Sequence, residues 1–417
     1  TNFGATGAAS WDTTVKTSGF TAVAGTGYFV NTTAGAISVN LPAGTAGSVV
    51  AIKDYANTFD TNAVTLVQNG SDKIGGSTDN STLSTEGLAV TLVFIDSTQG
   101  WLVTDSGLQD EAPTAQYVTA TGGTETTSGD FKIHTFTGPG TFSVTKAGNA
   151  CGSNTVDYLV VAGGGGGGEW FGGGGGAGGA RMSSGAASGC YTVGPLGSGV
   201  SALPMPISPY PITVGGGGAG GTSGTPTPGG GGYDGVQGGI STFSSISSAG
   251  GGGGAGSQGP ARDGQSGGSG GGATGGSPGA GGCGGAGNTP PVSPPQGNNG
   301  GNSSNPDNGG GYGGGATAAG SVSNSPNTTR GGAGVANNIN PATGETCGSS
   351  QYYAGGGNSS NSNYSNAPKG GLGGGGTGPG SPDGGVGTAN TGGGGGGNSP
   401  TGTGGSGIVI IRYKFQN

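Results

Sequence analysis

Short apolar runs punctuate the first hundred residues, and their period is two. In the run Ala36 to Leu41, Ile37, Val39 and Leu41 alternate with small or polar neighbours, which places one face of an extended strand against a core. Gly27 to Asn31, Ser48 to Tyr55, Ala63 to Val67, Ala89 to Asp96 and Gly100 to Val103 complete six predicted strands. Pro42, Asn57, Asn69-Gly70 and Gln99-Gly100 fall between them, where turns need fixed or left-handed backbone angles. No helical period of useful length occurs, so residues 1–108 read as a small antiparallel β-domain.

A polar connection containing Glu111 and Pro113 follows, and residues 109–116 are read as a linker. Tyr117 to Ala120, Phe131 to Thr137 and Gly140 to Thr145 then predict strands of a connector domain over 117–155, with Gly138-Pro139-Gly140 turning between the last two. The run from Phe131 alternates, with Phe131, Ile133 and Thr135 on one face and Lys132, His134 and Phe136 on the other.

From Val156 onward the pattern becomes a strand followed by a run of glycine. Val156 to Ala162 leads into Gly163 to Gly168, Tyr210 to Val214 into Gly215 to Gly218, and Ser241 to Ile246 into Gly250 to Gly254. The run Gly392 to Gly397 instead precedes the closing strand Ile408 to Tyr413. That strand is continuously apolar, so it is expected to lie centrally, beside Tyr158 to Ala162.

Glycine supplies 113 of the 417 residues, mostly in this third segment, and runs of it cannot form an apolar core. A disordered reading would follow from composition alone, but a solvated linker has no reason to be interrupted by well-formed apolar strands. The alternative is a lattice. Without side chains, extended helices of three residues per turn can approach until each N–H reaches a neighbour's carbonyl. Ordering a residue costs about 1–2 kcal/mol of backbone entropy, and a hydrogen bond returns roughly 0.5–1.5 kcal/mol. The strands must therefore clamp the ends, and Val160, Val161, Ile212, Val214, Ile410 and Ile411 are the residues placed to do so. The fold class expected is all-β, with small antiparallel β-domains followed by packed polyglycine II helices over 156–417 and almost no α-helix.

Charged residues are 7% of the chain and the net charge is -8, so no basic surface exists to neutralise phosphates and nucleic-acid binding is not expected. No stretch approaches the ~20 apolar residues that span a bilayer. Nothing near Thr1 has a basic flank followed by an apolar run, so no signal peptide is expected in this sequence. Cys151, Cys190, Cys283 and Cys347 lack the spacing of a zinc site; they allow three disulfide pairings or free thiols. His134, the sole histidine, sits in a strand pattern with no nucleophile beside it. Asp54, Asp60, Asp72, Asp79 and Asp96 are scattered through turns without the spacing of a calcium loop, and the glycine runs lack the lysine of a phosphate-binding loop. No enzyme activity, cofactor or metal is expected.

Two resemblances add to this reading. Thr14-Val15-Lys16-Thr17, Phe20 to Gly25, Gly27 to Thr33, Ile52-Lys53-Asp54-Tyr55 and Gly100-Trp101-Leu102-Val103 resemble, in order, a domain of tail-fibre and structural proteins of marine cyanobacterial phages. Val156 to Gly165 and Gly404 to Tyr413 bracket a region that resembles the glycine-rich fibre and adhesin domains of phages. The resemblance implies a homotrimeric tail-fibre or adhesin segment on the virion. Its partners would be other tail proteins and a host outer-membrane protein or surface polysaccharide, contacted through the polar segments between glycine runs.

Those segments are Arg181 to Pro211, Asn288 to Asn308, Ser321 to Arg330 and Val335 to Lys369, rich in serine, asparagine, proline and tyrosine. Such composition suits binding loops. Candidate receptor contacts are Trp170, Phe171, Tyr191, Tyr352, Tyr353, Asn361, Asn363 and Tyr364. The same residues also suit turns that reverse one glycine helix into the next, or plugs at the lattice edge. Two rival functions stand beside attachment: a bacterial surface filament protein, and a polysaccharide-degrading tailspike. The tailspike would need a paired-carboxylate groove that the sequence does not contain.

Overall fold

The computed structural model describes residues 9–108, 115–189, 191–222, 233–256, 262–274, 281–303, 309–322, 330–359, 370–377, 385–397 and 401–416. The chain is nearly all-β, with no α-helix among these residues. It divides into two compact units, Thr1–Thr114 and Ala115–Asn417.

The first unit contains β1 (Ser10–Lys16), β2 (Phe20–Thr21), β3 (Thr26–Val30), β4 (Ile37–Asn40), β5 (Val49–Asp54), β6 (Val64–Val67), β7 (Ser81–Leu83), β8 (Leu88–Phe94) and β9 (Trp101–Leu108). Strands β1 to β6 alternate between two sheets, ordered β1-β3-β5-β8-β9 and β2-β4-β6-β7. Between the sheets lie Val30, Val39, Leu41, Ile52, Phe59, Val64, Leu66, Leu92 and Trp101. Pairing departs from the antiparallel expectation: β1 with β3, β3 with β5, β2 with β4 and β4 with β6 are all parallel, and only β7, β8 and β9 pair antiparallel. Parallel neighbours need a crossover, and here a short strand in the facing sheet supplies it. The period of two reports which face is buried and is silent on strand direction.

The second unit adds β10 (Thr119–Thr121), β11 (Thr124–Ser128), β12 (Phe131–Phe136), β13 (Gly140–Lys146), β14 (Thr155–Val161), β15 (Ala180–Met182), β16 (Leu203–Pro204), β17 (Ser208–Thr213), β18 (Ser241–Phe243), β19 (Ile246–Ser248), β20 (Val335–Ala336), β21 (Glu345–Cys347), β22 (Ser350–Tyr353) and β23 (Ile408–Lys414). Its central sheet runs β11-β12-β23-β14-β15, facing a second sheet β10-β13-β17-β18-β19. Strands from 117–155 thus enter both sheets, so this stretch is an integral part of the second unit and not a connector domain of its own. A run of polar threonines hides β11 from hydrophobic patterning. Ser244, with φ 52°, splits the stretch 241–246 into a β18-β19 hairpin where one strand is expected.

β23 lies between β12 and β14, as its continuous apolar sequence requires. One face, with Val156, Tyr158, Val160, Val409, Ile411 and Tyr413, packs on the second sheet. The other, with Leu159, Val161, Ile408 and Ile410, packs on Val335, Ile339 and Tyr353 and on alanines of the glycine-rich region. Both faces being covered, neither strand has a polar side.

The glycine runs continue directly from these strands. β14 passes into 163–168, and 402–407 passes into β23. Hydrogen bonds recur every third residue, the signature of a three-residue turn. Gly163, Gly166 and Glu169 donate to Gly239, Val236 and Tyr233; Gly164 and Gly167 donate to Gly405 and Gly402; Gly165 and Gly168 donate to Gly176 and Gly173. In return, the carbonyls of Gly163 and Gly166 accept from Gly251 and Gly254, those of Gly164 and Gly167 from Gly218 and Gly221, and that of Gly165 from Gly395. All these bonds measure 2.8–3.0 Å. The helix 163–168 is therefore enclosed by six neighbours, three accepting and three donating. That is a hexagonal array, and every residue of the run is buried. The spacing leaves no room for a side chain: a Cβ on Gly165 would lie 2.6 Å from the Gly252 carbonyl carbon and closer still to its oxygen.

Side chains stitch the array to the sheets at the junction. Ser241 Oγ donates to the Val161 carbonyl and accepts from Gly215 N–H, and Ser248 Oγ donates to the Val160 carbonyl.

Candidate functional site

Polyglycine helices run alternately away from the sheets and back, so the second unit has an anchored end and a far end. The Ala162–Gly179 and Gly407–Gly215 hydrogen bonds mark the first; the Gly168–Gly173 and Gly397–Asn358 bonds mark the second. At the far end the chain reverses through Glu169, Trp170 and Phe171. Glu169 N–H donates to Tyr233, Gly173 N–H to Ala255, and Thr274 Oγ1 to the Phe171 carbonyl, at 3.3 Å. Trp170 and Phe171 both have left-handed backbone, with φ 48° and 47°. For bulky side chains that conformation costs about 1–3 kcal/mol each and persists only where the surroundings impose it. Here the two lattice helices they join impose it, and the result is an aromatic pair held outward, 50% and 36% exposed.

The other expected contacts are elsewhere. Tyr352 and Tyr353 belong to β22, in the three-stranded sheet β20-β22-β21 at the anchored end. Tyr353 is fully buried, with its hydroxyl donating to the Thr343 carbonyl at 3.0 Å, and burial pushes the phenol up to about 12. It is a core residue with no surface for a receptor, because alternation along β22 turns it inward against Ile339 and Ile410. Tyr352 is half-buried on the opposite face. Tyr191 is also half-buried, its ring 5.0 Å from the Arg412 guanidinium. Asn361, Asn363 and Tyr364 lie outside the described residues.

Polar residues inside the second unit are mostly satisfied structural groups. His134 is fully buried on β12; its Nδ1–H donates to the Gly122 carbonyl at 2.7 Å, which leaves Nε2 to accept from the Tyr413 hydroxyl at 3.0 Å. Burial holds its pKa below the ordinary value. Asp157, fully buried on β14, accepts from Ser183 Oγ at 2.7 Å and from both the N–H and hydroxyl of Ser188. Directly opposite on β23 stands Arg412. Sequence patterning passed over this pair, although the signal was present: one acid in an apolar strand and one base in its partner.

Cys151, Cys283 and Cys347 are free and exposed, and Cys190 lies outside the described residues. No group of three or more potential metal ligands occurs among the described residues. No described helix is long and apolar enough to cross a membrane.

Comparison with known proteins agrees with this geometry. No curated protein matches the chain. Residues 3–111 match the family described as Bacteriophage T4 gp9/10-like protein, N-terminal, and residues 134–414 match the family described as Glycine-rich domain. The second match spans the lattice together with the strands that clamp it. The chain therefore belongs to the glycine-rich domain family, preceded by a region similar to the N-terminal part of bacteriophage T4 gp9/10-like proteins, a combination consistent with phage tail-fibre-like structural proteins.

Proposed function

We propose that this chain is the receptor-binding segment of a phage tail fibre, a non-enzymatic homotrimer that attaches the virion to its host through the far end of the polyglycine lattice. The observation that carries the reading is the turn 169–171. Two large aromatic side chains are presented outward from strained backbone at the tip of an array built mostly of glycine. Rigid presentation lowers the ordering entropy lost on contact, and aromatic anchors dominate binding energy at protein surfaces. Several such tips on one fibre assembly would act together through effective concentration. The phage-type first unit supports placement on the virion tail.

The test is competition. Purified protein is added to candidate host cells before phage, and adsorption is counted. Trp170→Ser/Phe171→Ser protein should lose blocking by about tenfold or more, the scale of losing one hot-spot aromatic, while its melting temperature stays within about a degree of the parent or rises as strain is released. Equal blocking by parent and variant, or self-assembly into filaments with no cell preference, would overturn the reading. Sedimentation equilibrium at three times the chain mass supports the trimer, and a monomer would remove it.

A further inference from the structure

At the anchored end, away from the aromatic tip, a surface pocket of about 550 Å³ is lined by Ser128, Tyr191, Thr192, Asn338, Pro341 and Arg412. Arg412 is the unusual member. Its side chain is only 6% exposed, and the rings of Phe131 and Tyr191 lie 4.7 and 5.0 Å from the guanidinium carbon. Such packing holds the planar group in one orientation. Nη1 donates to the Ile339 carbonyl at 3.3 Å, a long bond, and Nε has no acceptor among the described residues. Arg412 forms no ion pair among them either.

A desolvated guanidinium with unused donors is costly, and an anion that supplies acceptors recovers much of that cost. The nearest acid does not serve. Asp157, opposite Arg412 across the β14-β23 ladder, already accepts from Ser183 and Ser188. Its negative charge still acts on the guanidinium, so the pocket suits a monoanion in preference to a doubly charged phosphate. Around the guanidinium, the Ser128 and Thr192 hydroxyls make no hydrogen bond to described residues, while the Asn338 amide is fixed by Gln351 N–H and the Ser349 carbonyl. Pro341 and the ring of Tyr191 add apolar surface. One cation, two free hydroxyls and flat apolar faces match a ring that carries both hydroxyls and a carboxylate.

We propose that this pocket binds a carboxylate-bearing sugar, of the uronic-acid class found in acidic polysaccharides, with the carboxylate against Arg412 and the ring hydroxyls toward Ser128 and Thr192. The site is separate from the aromatic tip and stands or falls independently of it.

Titration of the full chain with sodium glucuronate, glucose and sodium phosphate, followed by calorimetry and saturation-transfer NMR, tests the assignment. Saturable glucuronate binding is expected, with glucose weaker by about tenfold or more for want of the charge-assisted contact and phosphate weaker by about as much for want of the ring contacts. Arg412→Gln should lose glucuronate binding. Because that residue is buried and its replacement also probes folding, Thr192→Trp at the exposed rim provides a second test: it should fill the pocket and abolish binding with the β-sheet circular dichroism unchanged. Absence of saturable glucuronate binding, glucose binding as tight as glucuronate, tighter phosphate binding, or binding undiminished in Thr192→Trp would each overturn the proposal. Trp170→Ser/Phe171→Ser protein should bind glucuronate like the parent.

Discussion

At the scale of single residues, the absence of a side chain is what the lattice depends on, and two glycines show how local that demand is. Gly165 is enclosed on all sides, whereas Gly216 lies exposed with nothing within 4 Å of where a Cβ would stand. Gly165→Val should lower stability by about 3 kcal/mol or more, since overpacking by one or two methylenes already costs 1–3 kcal/mol and here the obstacle is backbone. Gly216→Ala should be neutral or slightly stabilising, because it removes unfolded-state entropy without a clash. Thermal melts of the two variants side by side check both; equal melting temperatures would mean the array is loose.

His134 makes a second prediction at this scale. Its folded pKa lies below 6.5, chiefly through burial, while in the unfolded chain it titrates near that value. Between the two, the unfolded state binds more protons. The contribution to stability is therefore complete above the unfolded pKa and is lost as pH falls through the folded one. The melting temperature of the second unit should drop as pH falls below about 6.5, and His134→Gln should flatten that slope. A parent protein whose melting temperature is level across this range would show that the imidazole is not held neutral by the fold.

At the scale of elements, strands and polyglycine helices divide the work. A single polyglycine helix has no internal hydrogen bonds and would stay solvated alone; the helix 163–168 is ordered because β14 fixes where it starts and six neighbours take up its polar groups. Hydrogen exchange should accordingly show strong protection for the amides of Gly164 to Gly168 and Gly173 to Gly178, comparable to those of β14 and β23, despite the lack of any conventional secondary structure there. Exchange at peptide-like rates in these runs, with protected strands, would mean that the runs are not a lattice in solution. The more apolar strands were readable as elements from periodicity, including the central place of β23 between β12 and β14, whereas short or polar strands such as β1, β7 and β11 were not. Their directions in the first unit were not, because alternation of side chains is identical for parallel and antiparallel neighbours.

At the scale of the whole molecule, the sequence determined the composition of the two regions, the all-β class and the clamp of apolar strands around glycine, because each follows from local residue chemistry. Hydrophobic period, turn residues and the lack of side chains are properties of short stretches. Tertiary structure alone decided which helices neighbour which, since identical glycine runs carry no address and their pairing is set by the strands at their ends. It also decided the fate of the tyrosines. Tyr353 and Trp170 look equally suited to binding in the sequence, yet one is sealed between β22 and the central sheet while the other stands exposed at the far end. The pairing of Asp157 with Arg412 likewise spans about 250 residues of chain, and only closure of β23 onto β14 brings the acid, the base and the pocket together.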